Sequence, residues 1–107
     1  MSTATLNGTG PGQYRIVGDL DFNSVGTLAG EGERLFAAYP EVRVDLQDVG
    51  QANSAGLALL LQWLEQAKRR GQRLELVNLP ESLARIAAIT NLTGLLPLGT
   101  GGTTQLP

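Results

Sequence analysis

The sequence contains no cysteine and no histidine. The first absence excludes disulfides, thiol nucleophiles and thiolate metal sites. The second removes the usual general base and the commonest metal ligand. Aromatic residues form only 5% of the chain (Tyr14, Phe22, Phe36, Tyr39 and Trp63), so the core has to be mostly aliphatic. Eight basic residues stand against ten acidic ones, a net charge of −2, and such a chain has no basic field to attract nucleic acid. Long apolar runs are missing too. The longest, Leu57 to Leu61, is far too short to span a bilayer, and Met1-Ser2-Thr3-Ala4-Thr5 lacks the charged-then-apolar plan of a signal peptide. A soluble cytoplasmic protein with no direct membrane insertion is expected. If it works at a membrane, something else must hold it there.

What is present suits one α/β domain. A chain of 107 residues, 42% of them apolar, can bury a sufficient core without metals or disulfides. Residues 4 to 20 read as two short strands around the glycine-rich turn Asn7 to Gly12. Asp19 and Asp21 flank Leu20 where the second strand ends. Val25, Leu28, Gly32, Leu35, Phe36 and Tyr39 recur at helical spacing, which predicts a helix from about Asn23 to Tyr39 with Asn23 or Ser24 as its cap. Pro40 marks its end.

Val42, Val44 and Leu46 alternate as a strand, and Gln47 to Asn53 reads as a loop. The strongest helix follows, with Leu57, Leu60, Leu61 and Leu64 as its apolar stripe. Lys68, Arg69 and Arg70 suit the negative end of its dipole, and Gly71 is placed to stop it. Leu74 to Val77 is the next strand. Pro80 opens a third helix carrying Leu83, Ile86, Ala87, Ile89 and Leu92. Leu95, Leu96 and Leu98 suggest a last pairing segment. Residues 1–98 form one domain on this reading, and Gly99 to Pro107 a disordered tail. The order β-β-α-β-α-β-α implies a mixed sheet of four to five strands with about three helices against it.

Catalytic equipment is thin. Neither a Ser-His nor a Cys-His pair can be formed, so no enzyme and no cofactor or metal is expected. An acid pair for hydrolysis would have to be Asp45 with Asp48, which read more simply as solvated residues at a strand end. The glycine-rich stretch Gly99 to Thr103 lacks the Lys-Ser/Thr of a phosphate loop and opens no helix.

Asn53-Ser54-Ala55-Gly56-Leu57 is more informative. Asn53 or Ser54 caps the best helix, and the same helix end can receive a partner's acceptor group or a phosphate. Opposite the predicted core stripe, at about 100° per residue, lie Ala55, Ala58, Leu59, Gln62 and Gln66, with Trp63 at the border. A shallow, weakly charged, partly apolar helix face is expected to be a protein-contact surface. The candidate partner-binding residues are Asn53, Ser54, Ala55, Gly56, Ala58, Leu59, Gln62 and Trp63. Ser54 is also a candidate phosphoacceptor.

In this order, Asp45-Leu46-Gln47-Asp48-Val49, then Asn53-Ser54-Ala55-Gly56-Leu57, then the leucine-rich helix, resemble the STAS domain family. The resemblance covers about Tyr14 to Leu98. It implies a mixed sheet with helices against it and a non-catalytic role in protein–protein contact. Within the family, Ser54 to Leu61, Ala67-Lys68, Gly71, Leu92 and Leu95-Leu96-Pro97 look like the cytoplasmic STAS subunit of Mla-type phospholipid ABC transporters of Gram-negative bacteria. That implies binding to the transporter's ATPase subunit and a role in outer-membrane lipid asymmetry. The alternative is an anti-sigma-factor antagonist acting by partner switching. Antagonists of that kind carry their phosphoacceptor just before the glycine. Ala55 stands there, so a kinase-driven switch at this position is chemically excluded. Asn53 replaces the aspartate of the family pattern.

Overall fold

The computed structural model describes residues 4–89 of the protein. Their order is β1 (Ala4–Gly10), β2 (Gln13–Leu20), α1 (Val25–Phe36), β3 (Glu41–Asp45), β4 (Val49–Ala52), α2 (Ser54–Arg70), β5 (Arg73–Val77) and α3 (Glu81–Ile89). The mixed sheet has five strands, within the expected four to five, with three helices among the described residues. Strand order is β1-β2-β3-β5, and β4 pairs with the far end of β2. The β1/β2 hairpin is antiparallel, whereas β2/β3, β2/β4 and β3/β5 are parallel. The parallel pairs follow from the crossover helices α1 and α2. Leu92, the segment Leu95–Leu98 and the tail 99–107 lie outside the described residues.

The first hairpin is tighter than the glycine content suggests. β1 runs on through Asn7 to Gly10, and only Pro11 and Gly12 turn. Gly12 has φ +69°, and a Cβ there would stand 2.6 Å from the Glu41 carbonyl oxygen. Both facts reserve the position for glycine.

Buried and exposed residues alternate along β2 and β3. One sheet face therefore carries the core: Tyr14, Ile16, Leu20, Val42, Val44, Leu74 and Leu76. The opposite face carries charges in opposed pairs. Glu41 lies in register with Arg73, Arg43 with Glu75, and Arg15 with Asp45. Arg43 reaches Glu75 at 2.7 Å, Arg73 reaches Glu41 at 3.8 Å, and Arg15 stands 3.9 Å from Asp45 and 3.6 Å from Asp48. Each exposed pair contributes at most about 1 kcal/mol. Together they leave that face polar, with charges of both signs interspersed, three arginines against four acids.

Over the core face, α2 packs against both α1 and α3. Tyr14, Phe36 and Trp63 lie in a row, each ring centroid 5.0 Å from the next, with the first pair tilted at 58° and the second edge-on at 75°. Gln72 donates from Nε2 to the carbonyls of Phe36 (2.6 Å) and Tyr39 (2.7 Å), satisfying acceptors that the end of α1 leaves open. The expected cap of α1 is not formed in the expected way. Ser24 stands at the N-cap position but is fully buried, and its hydroxyl donates to the Asp19 carbonyl (2.8 Å) and accepts from Asp21 N–H (3.1 Å). It ties the β2–α1 connection together instead of capping the helix.

The segment expected as a loop before α2 contains β4. β3 and β4 run in succession along β2, but the register slips. Partners are 30 residues apart at Arg15/Asp45, 31 at Gly18/Val49 and 32 at Leu20/Ala52. The slip changes which residues face inward: Val42, Val44 and Leu46 are buried, then Val49. A period-two pattern cannot be followed through such a break.

Candidate functional site

At the carboxyl ends of β2 and β4 the chain enters α2. Asn53 N–H donates to the Leu20 carbonyl (3.1 Å), which fixes the helix start against the end of β2. Gly56 sits on that strand end: a Cβ there would lie 2.8 Å from the Leu20 Cβ. Asn53 is the N-cap, extended in backbone, and its Oδ1 accepts from Ala55 N–H at 2.9 Å. Ser54 is the first helical residue and points to solvent. Of the two candidate caps, Asn53 does the capping and Ser54 is left exposed. At the other end Gly71 adopts φ 68° and its N–H reaches the carbonyls of the last turn, as its place after Lys68-Arg69-Arg70 predicts.

The outward face of α2 is rotated from the one expected. Ala55 is 7% exposed, Leu59 3% and Trp63 1%, and Gly56 is buried as well. These four do not line an open surface. α2 lies on the sheet with α1 and α3 at its flanks, so its covered arc is wider than a single leucine stripe. Trp63 is held beneath α1, where it meets Phe36 and the backbone of Gly32. Ser54, Ala58, Gln62 and Glu65 are exposed, and Leu61 is half-buried beside them. They recur at three- and four-residue spacing and form one continuous strip along the helix. Of the candidate residues, Ser54, Ala58 and Gln62 thus share an open flank. Asn53 stands half-exposed at its head.

That flank begins at a groove of about 210 Å³ lined by Asp19, Leu20, Asp21, Gln51, Ala52 and Asn53. Asp19 Oδ1 accepts from Gln51 N–H at 2.8 Å and Asp21 Oδ1 from Asn23 N–H at 2.9 Å, so both carboxylates are positioned by backbone. Phe22 follows directly and is 79% exposed. The sequence marks Asp19 and Asp21 as a strand end, but nothing local to them announces a groove. Its other wall, Gln51 to Asn53, comes from the end of β4 and the N-cap of α2.

Asp45 and Asp48 do not form a catalytic pair of the kind weighed above. Both lean on Arg15, and Asp45 Oδ1 also accepts from Gln47 N–H (2.8 Å) and Asn78 Nδ2 (3.1 Å). They belong to the charged outer face of the sheet. Among the described residues, no group of three or more acidic side chains could hold a metal ion, and no helix is long and apolar enough to cross a membrane.

Comparison with known proteins places this geometry. The chain is 30% identical over 86 residues to the anti-sigma-B factor antagonist of Bacillus subtilis, a match covering 80% of this chain and 79% of that protein. In fold it is similar to the anti-sigma factor antagonist SpoIIAA in its unphosphorylated form, with TM-score 0.69, 16% identity and coverage of 92% and 89% of the two chains. It is equally similar to an anti-sigma factor antagonist from Mycobacterium paratuberculosis, with TM-score 0.69, 21% identity and coverage of 92% and 85%. The family model described as "Mlab, STAS domain" matches residues 10–97, and the chain belongs to the STAS domain family.

Proposed function

We propose that this protein is a non-catalytic regulator that docks onto a partner protein through the start and open flank of α2, as an anti-sigma-factor antagonist of the partner-switching kind. The observation that carries this reading is the run Ser54, Ala58, Gln62, the uncharged part of the exposed strip, left uncovered between packed positions on the N-terminal half of the helix. The named relatives, antagonists of anti-sigma factors, support the choice of partner class. The partner's states are discriminated by how well each fits the flank, which shifts their populations. Ala55 supplies no hydroxyl and is buried, so partner affinity is set by occupancy rather than by phosphate at that position.

A second reading keeps the same flank and changes the partner. The description of the matching family model, with alanine at position 55, favours an Mla-type transporter subunit seated on the ABC ATPase. Size-exclusion chromatography with each partner from the same organism separates the two. A complex with a kinase-like anti-sigma factor supports the first reading, and a complex with the ATPase alone replaces it with the second. Equal binding by wild type and Ala58→Arg would remove the flank from either.

A further inference from the structure

We infer that a second copy of this chain pairs with the sheet edge formed by β1, strand antiparallel to strand about a two-fold axis perpendicular to the sheet, with the two α1 helices side by side above the join. The inference does not depend on the docking flank of α2.

Both layers of the fold end on the same side. β1 closes one end of the strand order and, among the described residues, pairs only with β2. α1 lies over β1 and has α2 on its inner side. An edge strand offers alternate backbone N–H and C=O groups to an incoming strand, and charged side chains are a common protection against this. β5, at the other end of the order, carries Arg73 and Glu75. β1 carries no charged residue, and its Thr5, Asn7 and Gly8 are exposed. Two copies of this edge meet without like-charge repulsion.

The helix flank above the edge is charged, and its charges complement themselves. Gly32 against Trp63 and Glu33 against Arg70 mark the side of α1 that faces α2. At about 100° per residue, Thr27, Glu31 and Arg34 fall on the opposite flank. Six of the eight basic residues are ion-paired within the chain. Arg34 is not, nor is Glu31, although the two stand one turn apart on the same helix. A two-fold axis between them joins the acid of each copy to the arginine of the other.

Strand and helix place that axis at the same height. β1 and α1 both run opposite to β2. Tyr14 is the register partner of Gly8 and donates to the Leu35 carbonyl at 3.4 Å, so Leu35 stands near the level of Gly8. From there the midpoint of Glu31 and Arg34 is about 4 Å back along the helix. Asn7 is about 3.4 Å back along the strand from Gly8. An axis through Asn7 thus passes between Glu31 and Arg34. The lateral spacing agrees as well. α1 touches β1 and, through Leu35, Tyr14 of β2. With strands about 4.8 Å apart, helices above the midline of β1 and β2 come to lie about 10 Å apart across the axis, a normal helix-packing distance.

The test is analytical ultracentrifugation of the full chain from micromolar to millimolar concentration, with circular dichroism to confirm that each variant is folded. The wild-type mass is expected to rise from that of one chain to that of two. Glu31→Arg and Arg34→Glu should each weaken the dimer at least about tenfold, because each sets like charges against one another across the axis. The swapped double variant, Glu31→Arg with Arg34→Glu, should return it to within about threefold of wild type, which a loss of folding could not do. Asn7→Lys should weaken it at least about tenfold, and Lys68→Glu on α2 should leave it unchanged. The inference is overturned by a single-chain mass at every concentration, by a double variant no better than the single ones, or by a dimer indifferent to Asn7→Lys. It is also overturned if Asn7→Lys abolishes binding of the partner protein while wild type alone stays monomeric, since the edge then belongs to that partner. The docking reading is decided separately by Ala58→Arg.

Discussion

The α-carbon of Gly32 lies against the indole of Trp63, so closely that a β-carbon built there would stand 2.6 Å from both Nε1 and Cε2. This contact joins α1 to α2, and the indole N–H beneath it has no hydrogen-bond partner. Three glycines in α1 look like a weakness in the sequence, yet they are not equivalent. Gly26 and Gly30 have nothing within 4 Å of an added Cβ. Gly30→Ala is therefore expected to stabilise the protein by up to about 1 kcal/mol through helix propensity. Gly32→Ala should instead destabilise it by about 1–3 kcal/mol through overpacking. Urea denaturation should show the two midpoints moving in opposite directions, and a shared direction would contradict the contact.

Asn53 carries a cap that Ser54 does not. Asn53→Ala should cost about 1 kcal/mol, Asn53→Ser appreciably less, and Ser54→Ala close to nothing. Thermal unfolding of the three variants checks the order. A loss for Ser54→Ala equal to that for Asn53→Ala would move the cap by one residue.

Neighbouring positions on α2 should separate folding from docking. Ala58→Arg places its charge in solvent and is expected to leave stability within about 0.5 kcal/mol of wild type. It should still weaken partner binding at least about tenfold, because it obstructs the flank. Leu59→Arg buries an unpaired cation and is expected to cost more than about 3 kcal/mol. Circular dichroism reports the second effect and a pull-down the first.

Burial pushes the Tyr14 hydroxyl above its ordinary value of 10.0, and the charge of Tyr39 adds to the shift. Its oxygen also lies 3.4 Å from the Leu35 carbonyl, to which it donates. The folded chain thus holds this proton more tightly than the unfolded one. The contribution to stability is complete below pH 10.0 and is lost as pH rises through the higher folded value. Absorbance near 295 nm during alkaline titration should show a late tyrosinate phase that disappears in Tyr14→Phe, together with alkaline unfolding that begins above pH 10.0.

Local signals made α2 the most legible element: apolar spacing, a capping residue at its head, three cations and a glycine at its foot. The same signals misplace its outward face, because a helical projection cannot tell how many neighbours a helix will have. Leu59 and Trp63 are claimed by tertiary packing around α2, and Trp63 is admitted only because Gly32, 31 residues earlier, has no side chain. β4 stays hidden for another reason. Val49-Gly50-Gln51-Ala52 offers one large aliphatic residue, and its phase is set by slips against β2. The groove is nonlocal as well, since the backbone that positions Asp19 belongs to Gln51, 32 residues away.

The slips between β2 and its successive partners have a consequence for length. Each lets one strand gain a residue on the other just before α2 begins, so the helix head is indexed to the sheet by residue count. Deleting one residue between Leu46 and Val49 would draw Asn53 back by about 3.3 Å, one strand step, and pull Gly56 off Leu20. Members of the fold that differ in length here should therefore present their helix heads at different heights above the strand ends. Such a ruler would let related proteins in one cell keep the same architecture and still refuse one another's partners.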